Sequence, residues 1–307
     1  MKALFDADIL VFRAGFAAEK NKWYLSVPKP CQLEGGEPFK GTFQYKKDAL
    51  SKLDRLLPGI NSREEGVDYQ LYAERELEPL ENALHNVNVM VARALADCDC
   101  SEDDVEMYLS GGVNFRYEVA KTQPYKANRN KAHRPQYEKQ IRKYIESKWP
   151  TTVTDGIEAD DALGMAQCTY GPYESVIISI DKDLDMIPGL KYNIMHELNY
   201  DITEEEAWKK FCLQVLTGDS TDNIPGLPRI GAKKAEKMLD GLDHTQWLEE
   251  VARQYASKSG REDWWDYMTE QAQLIWIWRE NKMFEFPEEL RELGGYDDIG
   301  EINASLL

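Results

Sequence analysis

Acidic residues occur in tight groups along this chain, and their spacing suggests metal or acid–base chemistry. One group lies in residues 156–162, where Glu158, Asp160 and Asp161 place three carboxylates within four residues. An apolar run follows, so the stretch predicts the start of a helix with acids in its first turn, where the helix dipole favours them. For this group alone, a well-capped surface helix is the better interpretation.

Three further acid pairs favour a metal site over that interpretation. The pairs lie at predicted junctions between strands, loops and helices, and they are Asp6/Asp8, Asp181/Asp183 and Asp219/Asp222. Gathered carboxylates repel one another, and a fold that collects them usually contains a divalent cation. In open α/β sheets such sites form beyond the carboxyl ends of the strands. Asp8 could equally be a helix cap.

The hydrophobic pattern predicts the elements that would position these acids. Short apolar or β-branched runs predict strands at residues 2–6, 106–110, 151–154, 174–180 and 191–195. The run 174–180 is mostly apolar, as expected of a parallel strand buried on both faces. Apolar residues at helical spacing predict helices over 80–95, 136–149 and 204–216, and over much of 247–286. Together with the length of the chain, this pattern predicts an α/β fold.

The charge distribution points to one basic surface on an acidic protein. A net charge of −18 over 307 residues argues against a nucleic-acid partner. Residues 116–148, however, contain ten Lys or Arg and three Asp or Glu. Aromatic residues flank these cations, so phosphates and bases could bind there, with Tyr125, Lys126, Arg129 and Arg134 as candidate contacts. A solvated cationic helix that pairs with the acidic body is the alternative.

A second candidate for nucleic-acid binding follows residue 217. Gly226 and Gly231 flank a short turn that contains Arg229, and a helix with Lys233 and Lys234 follows directly. A glycine-flanked turn that opens a helix presents backbone N–H groups to a phosphate. An ordinary helix–turn–helix connection is the alternative, but the density of glycine, proline and lysine favours contact with the DNA backbone.

Cysteine usage and hydropathy indicate a cytoplasmic protein. The five cysteines are an odd number without a CxxC pair, which is typical of reduced thiols and argues against a zinc site. No apolar run is long enough to span a membrane, and the N-terminus has no secretory pattern.

Taken together and in order, several segments resemble the 5′ nuclease family. This family includes flap endonucleases, the 5′–3′ exonuclease domain of bacterial DNA polymerase I, and the 5′–3′ exonucleases of tailed phages, which are the most similar. The matching segments are Phe5-Asp6 with Phe12-Arg13, Phe115-Arg116, Tyr125-Lys126-Ala127-Asn128-Arg129, Glu158-Ala159-Asp160-Asp161, residues 179–183 and residues 218–226. The last segment is the most specific.

The resemblance implies an architecture and an activity. It implies a PIN-like nuclease core over residues 1–200, with a mostly parallel central sheet flanked by helices. This core would have an insertion at about 20–78 and a helical arch at about 116–148. A helical region over 201–307 would contain a helix–hairpin–helix element at about 218–240. The implied activity is metal-dependent 5′–3′ exodeoxyribonuclease action on double-stranded DNA with a 5′ end or flap, in phage replication or recombination in the host cytoplasm. The preference between exonuclease and flap endonuclease action, the oligomeric state and the role of residues 20–78 stay open.

The resemblance also assigns residues. It implies that one divalent cation, Mg2+ or Mn2+, is held by Asp6, Glu158, Asp160 and Asp161. The second would be held or supported by Asp181, Asp183, Asp219 and Asp222. Lys126 and Arg129 would be catalytic arch residues that face the scissile phosphate, and the hairpin at 226–234 would grip duplex DNA, in the family often with a monovalent cation such as K+. Two divalent cations in such a site activate water and stabilise the leaving oxygen.

Two positions depart from the family pattern. Gly111 stands where the family usually has an aspartate, so we expect Gly111→Asp to lower the metal concentration that activity requires. Arg229 stands where the family commonly has glycine. The missing carboxylate motivates one rival, a DNA-binding module with weakened catalysis, and a related RNA-cleaving nuclease is another. The retained carboxylates argue against complete loss of catalysis, and Lys233 and Lys234 argue for duplex DNA.

Overall fold

The structure, a computed structural model, describes residues 1–30, 37–59, 64–66, 68–128 and 134–295. The chain divides into two compact units. Unit 1 comprises Met1–Leu10, Met90–His133 and Ile145–Leu307, and unit 2 comprises Val11–Val89 and Arg134–Tyr144. This division differs from the boundary near residue 200 that the resemblance implied, because the helices after residue 200 fall in the same unit as the central sheet.

The described residues form strands and helices with the following bounds. The strands are β1 (Lys2–Asp6), β2 (Glu19–Val27), β3 (Phe39–Phe43), β4 (Gln70–Leu77), β5 (Val105–Leu109), β6 (Thr151–Val153), β7 (Ser175–Ser179), β8 (Gly189–Asn193) and β9 (Leu198–Ile202). The α-helices are α1 (Ala7–Ala17), α2 (Lys46–Leu56), α3 (Leu80–Asp97), α4 (Arg116–Val119), α5 (Glu138–Lys148), α6 (Ala159–Tyr170), α7 (Glu204–Thr217), α8 (Ala232–Leu239), α9 (Trp247–Lys258) and α10 (Trp264–Ile275). Short 3-10 helices lie at Glu102–Asp104, Lys182–Met186 and Glu288–Gly295.

In the described part of unit 1, six strands form the central sheet in the order β6-β5-β1-β7-β8-β9. The pairs among β6, β5, β1, β7 and β8 are parallel, and β9 runs antiparallel to β8. This confirms the predicted mostly parallel sheet. Strand β7 is buried along its whole length, as its apolar sequence requires of a strand covered on both faces. The carboxyl ends of β1, β5 and β7 meet at one edge, so Asp6 and the residues after β5 and β7 share that edge.

Unit 2 contains the insertion. Strand β2 pairs antiparallel with β3 in a register that sets Trp23 opposite Phe43. Strand β4 adds to the other side of β2, and helix α2 packs on one face of this small sheet through Leu53 and Leu56, which join Leu25 in a separate core. The sequence did not reveal β4, because all its residues but Leu71 are exposed and charges interrupt its alternation.

The helices after residue 200 have their own apolar core within unit 1. Helix α7 starts at a capping box formed by Thr203 and Glu206 and ends at Gly218, whose φ of 70° reverses the chain. The turn that follows leads into α8, so α7 and α8 flank the segment for which the resemblance implied a helix–hairpin–helix element. Trp247 is buried in this core, and Trp264, Trp265 and Trp276 pack against it. No helix in the described ranges is both long and apolar enough to cross a membrane.

Candidate metal centre and nucleic-acid interface

Asp6 ends the central strand β1 and lies at the acidic edge of the sheet. It is 6% exposed, and its Oδ2 accepts a hydrogen bond of 2.9 Å from the Ser179 hydroxyl at the end of β7. Burial and the charges of Asp8 and Asp181 together raise the pKa of Asp6 to about 7, against the opposing effect of the Ser179 hydrogen bond. The carboxylate is therefore in a place that disfavours its negative charge unless a cation is near.

Asp160 approaches the same edge from the first turn of α6. Burial raises its pKa well above the usual value, and the charges of Asp6, Asp181, Glu158 and Asp161 add to the effect. Acids from three separate chain segments thus interact at one place. The structure brings together these sequence-predicted residues, as the shared edge of parallel strands requires.

The donor chemistry of this edge fits a hydrated divalent cation. The converging groups are carboxylates, which are the hard oxygen ligands that Mg2+ and Mn2+ prefer. Among the described residues, no three His, Cys, Asp or Glu side chains are grouped closely enough to hold an ion as they stand. Because Mg2+ usually keeps several of its waters, carboxylates can also serve it through bound water.

Asp161 is engaged in a buried ion pair in the first turn of α6. Its side chain is fully buried, and its two oxygens lie 2.6 Å and 2.8 Å from the guanidinium nitrogens of Arg116. The same oxygens accept the backbone N–H groups of Glu158, at 3.0 Å, and Trp278, at 3.1 Å. With both oxygens engaged in a buried ion pair, Asp161 stabilises the start of α6, and its assignment as a metal ligand stays a prediction.

Glu158 caps the start of α6 and faces a group of hydrogen-bond donors. Its Oε1 lies 2.8 Å from Asn114 Nδ2 and 2.5 Å from Lys126 Nζ, and its Oε2 accepts the Tyr125 hydroxyl at 3.2 Å. Burial alone would raise the pKa of Glu158, but Lys126 and Arg116 outweigh it, so that the pKa lies below its usual value. Glu158 is therefore held as a charged carboxylate.

The acids proposed for the second cation fall into two places. After β7, Asp181 accepts the N–H of Asp183 at 2.8 Å, and Asp183 accepts Gln214 Nε2 at 3.1 Å. Burial raises the pKa of Asp183, and the charges of Asp181 and Asp219 raise it further, so both of these carboxylates interact electrostatically with Asp183. Asp222 instead accepts the Tyr125 hydroxyl at 2.8 Å, and it therefore lies on the side of Glu158.

The residues of the basic segment that were predicted to contact DNA lie in different places. Tyr125 is 4% exposed, and burial together with the Glu158 charge keeps its pKa above the usual value, so its hydroxyl stays a donor. Lys126 lies against the carboxylates of Glu158 and Asp222. Arg134 belongs to unit 2, where it pairs with Glu138 at 2.6 Å on an exposed surface. Arg129 lies outside the described residues.

The turn between α7 and α8 places some of its predicted contacts on the surface and buries another. Gly231, Lys233 and Lys234 are exposed at the start of α8. Gly226 is buried, its N–H is bonded to Gln271 and its carbonyl accepts the Tyr267 hydroxyl, so its assignment as a phosphate contact is corrected. An added Cβ at Gly226 would lie 2.3 Å from the Gly218 nitrogen, which explains a glycine there.

At both positions that depart from the family pattern, Gly111 and Arg229, the backbone restricts which side chain fits. Arg229 has a φ of 64°, a left-handed conformation that glycine adopts more easily. At Gly111, an added Cβ would lie only 1.9 Å from the carbonyl oxygen of Thr154. The expectation that an aspartate could be restored at position 111 is therefore corrected, because the chain has no room for a side chain there.

Sequence reasoning missed the residues that support the site. Arg116 was noted only as part of a motif, yet its Nε and Nη2 also bind the carbonyls of Leu274 and Trp276. Glu270 accepts the N–H groups of Lys121 and Thr122, at 2.8 Å and 2.7 Å, and so holds the chain that leads to Lys126. A buried arginine or glutamate has no local signal, since its partners are distant in sequence.

Comparisons with known proteins agree with the fold and the motifs. No protein-family model matches the chain. The chain is 38% identical over 107 residues to a 5′–3′ exonuclease of Buchnera aphidicola (Acyrthosiphon pisum). This match covers 31% of the present chain and 37% of the Buchnera protein. It is 33% identical over 153 residues to the Buchnera (Schizaphis graminum) 5′–3′ exonuclease, 45% of this chain and 53% of that protein.

A further similarity extends this result. The thermostable DNA polymerase I of Thermus aquaticus is 36% identical over 95 residues, 28% of this chain and 11% of the polymerase. The chain thus spans about half, or less, of the length of these relatives.

Solved structures share the fold at low sequence identity. The bacteriophage T5 5′-exonuclease with bound divalent metal ions (zinc) superimposes with a TM-score of 0.50 at 17% identity, over 62% of this chain and 80% of that one. A T5 flap endonuclease complex with DNA and metal ions gives 0.50 at 16% identity, over 71% and 87%. The chain therefore shares its fold with these nucleases, and over part of its length it is similar in sequence to 5′–3′ exonucleases.

Proposed function

We propose that the protein is a divalent-metal-dependent 5′–3′ exodeoxyribonuclease that hydrolyses phosphodiester bonds at the 5′ ends of double-stranded DNA. The observation that carries the proposal is the convergence of Asp6, Asp160 and Asp181 at the carboxyl edge of the sheet, where the charge of Asp181 raises the pKa of Asp6 and of Asp160, and the charge of Asp6 raises the pKa of Asp160. Such mutual repulsion costs stability unless a cation offsets it, so this edge is suited to bind metal and little else.

Divalent cations would be held by carboxylates from both acidic places. Asp6, Glu158, Asp160 and Asp181 would hold or support one, and Asp183, Asp219 and Asp222 a second. When bound, Mg2+ or Mn2+ supplies Lewis-acid stabilisation and lowers the pKa of water. Asp161 contributes by fixing the start of α6 through Arg116, which sets the direction of its neighbours Glu158 and Asp160.

The basic residues would act on the substrate at two distances. The Lys126 ammonium lies beside the carboxylates, where it can stabilise the charge that develops on a reacting phosphate, with Arg129 proposed as its partner. Gly231, Lys233 and Lys234 would bind duplex phosphates away from the cut, with a monovalent cation such as K+ in the turn. In a phage, the enzyme would act in the host cytoplasm during DNA replication or recombination.

The test is an incubation of the protein and Mg2+ with 5′-labelled duplex, flap, single-stranded and RNA substrates. We expect nucleotides to be released from the 5′ ends of the duplex, or incision at flap junctions. Asp160→Asn should abolish cleavage while DNA binding persists, because a metal ligand is lost and no DNA contact. Preferential RNA cutting, or gel retardation without cutting, would overturn the proposal in favour of the two rivals above.

A further inference from the structure

Residues 124–128 are docked onto the loop 219–223 of the α7–α8 turn. The N–H of Lys126 binds the carbonyl of Asp222, at 2.9 Å, and Asn223 Nδ2 binds the carbonyl of Pro124, also at 2.9 Å. Asn128 Nδ2 reaches the carbonyl of Ser220. Backbone and side-chain bonds therefore fix this segment, which we call the clip, against the loop.

The clip places one cation across two acids that are candidate metal ligands. Lys126 Nζ lies 2.5 Å from Oε1 of Glu158 and 3.6 Å from Oδ2 of Asp222, and the side chain is only 17% exposed. The Tyr125 hydroxyl is within hydrogen-bond distance of the same two residues, 3.2 Å from Glu158 and 2.8 Å from Asp222. Glu158 and Asp222 thus share one neutralising lysine and one phenol.

The backbone of the clip is held in an uncommon conformation. Lys126 has a φ of 55°, in the left-handed region that costs free energy for a residue with a side chain. Such a conformation persists only where surrounding contacts impose it. Here those contacts are the bonds to the loop 219–223 and the ion pair with Glu158.

We propose that Lys126 is an internal counter-ion for Glu158 and Asp222, and that the Lys126–Glu158 ion pair and a divalent cation exclude each other. The inference rests on the proposed function and adds a regulation to the same site. An ammonium and a dication use the same oxygen lone pairs, so occupation by one weakens the other. Because such coupling is reciprocal, metal binding frees the ammonium, which can then reach a substrate phosphate.

The coupling is measured as Mn2+ affinity of the full chain without DNA, by calorimetry or by electron spin resonance of free Mn2+. Lys126→Met removes the competing charge, and we expect Mn2+ to bind about tenfold or more tightly, as expected for loss of a charged hydrogen bond. Lys121→Met, the same change on an exposed lysine five residues earlier, should leave the affinity near that of the wild type. Affinity that is unchanged or weaker in Lys126→Met would overturn the inference.

A second variant loosens the clip and leaves every carboxylate and Lys126 in place. Asn223→Gly keeps the left-handed backbone, since Asn223 has a φ of 63°, but removes the bond to the Pro124 carbonyl. It should also tighten Mn2+ binding, by a smaller factor than Lys126→Met. Unchanged Mn2+ binding in this variant would show that the clip does not restrain the ion pair.

Failure of the inference and failure of the proposed function give different results. If the wild type cuts DNA and Lys126→Met does not bind Mn2+ more tightly, the counter-ion role is wrong and the nuclease stands. If Lys126→Met binds Mn2+ more tightly and the wild-type protein cuts none of the substrates, the counter-ion role stands and the proposed nuclease activity is wrong. Thermal unfolding adds a check, because the loss of stability caused by Lys126→Met should shrink when Mn2+ is saturating.

Discussion

Asp160 and Asp161 are neighbours in sequence, yet asparagine at each position should have opposite effects on stability. Asp161 is buried against the Arg116 guanidinium and accepts four hydrogen bonds, from Arg116 twice, Glu158 and Trp278. Asp160 is surrounded by acids that raise its pKa after burial has done so. The first carboxylate is stabilising because it is paired, and the second is destabilising because it is not.

The size of the Asp161→Asn effect follows from what the change leaves behind. Arg116 is 3% exposed and would keep its charge without a counter-charge. Removing one partner of a buried ion pair costs about 3–5 kcal/mol, because the other charge remains desolvated. That is a large share of the roughly 5–15 kcal/mol that stabilises a typical folded protein. We therefore expect a large loss of stability and, in protein that stays folded, retained Mn2+ binding.

Asp160→Asn should not cause the loss of stability that is expected for Asp161→Asn. A raised folded-state pKa means that the ionised carboxyl is less favourable in the folded than in the unfolded chain at neutral pH. Asparagine removes that unfavourable charge, so stability without metal should stay the same or rise. Mn2+ affinity and cleavage should fall, because the residue is proposed to hold the cation.

Urea unfolding followed by tryptophan fluorescence, together with Mn2+ titration, measures both effects in both variants. Trp276 and Trp278 lie next to the ion pair, so the signal reports on that region. A third variant, Arg116→Met with Asp161→Leu, should be more stable than Asp161→Asn, since no buried charge is left alone. If Asp161→Asn keeps its stability and loses Mn2+ binding, Asp161 is a ligand and the reasoning above fails.

Three more predictions test separate features. Gly111→Asp should lower the free energy of unfolding by roughly 1–3 kcal/mol through overpacking. Gly112→Asp is the control, because an added Cβ there meets nothing within 4 Å, and its urea midpoint should stay near that of the wild type. Equal midpoints for the two variants would refute the steric argument. Neutralising Lys233 and Lys234 together should weaken duplex binding and lower the salt slope by about one unit per lost contact, and an unchanged slope would exclude them as phosphate contacts. Burial lowers the pKa of Lys191 to about 7 in the folded protein. Between that pH and about 10.5, the unfolded chain therefore binds more protons at this group than the folded protein does. The contribution of Lys191 to the stability of the wild type consequently rises with pH across this range. The stabilising effect of Lys191→Met in thermal unfolding should therefore be greatest near neutral pH and shrink toward about pH 10, and a constant difference would contradict the shift.

Much of the fold followed from local pattern. The strands around the acidic edge are short and apolar, so periodicity found them, and the rule that parallel strands share a carboxyl edge then placed Asp6 and Asp181 together. Strands β4 and β9 escaped because they pair antiparallel and have mostly exposed or partly exposed side chains. Such strands depend on their neighbours for hydrogen bonds, and their sequences contain no continuous apolar face to reveal them.

The sequence by itself determined where the acids lie along the chain, and its predicted strands placed Asp6 and Asp181 at the sheet edge. It also determined the tight turn at Gly218, because the backbone conformation there demands glycine. Only the tertiary structure decided what each acid is able to do. Asp161 is neutralised by an arginine 45 residues away, and Glu158 by a lysine 32 residues away. Charge pairing depends on distance through space and on burial, and neither is contained in the local spacing of residues.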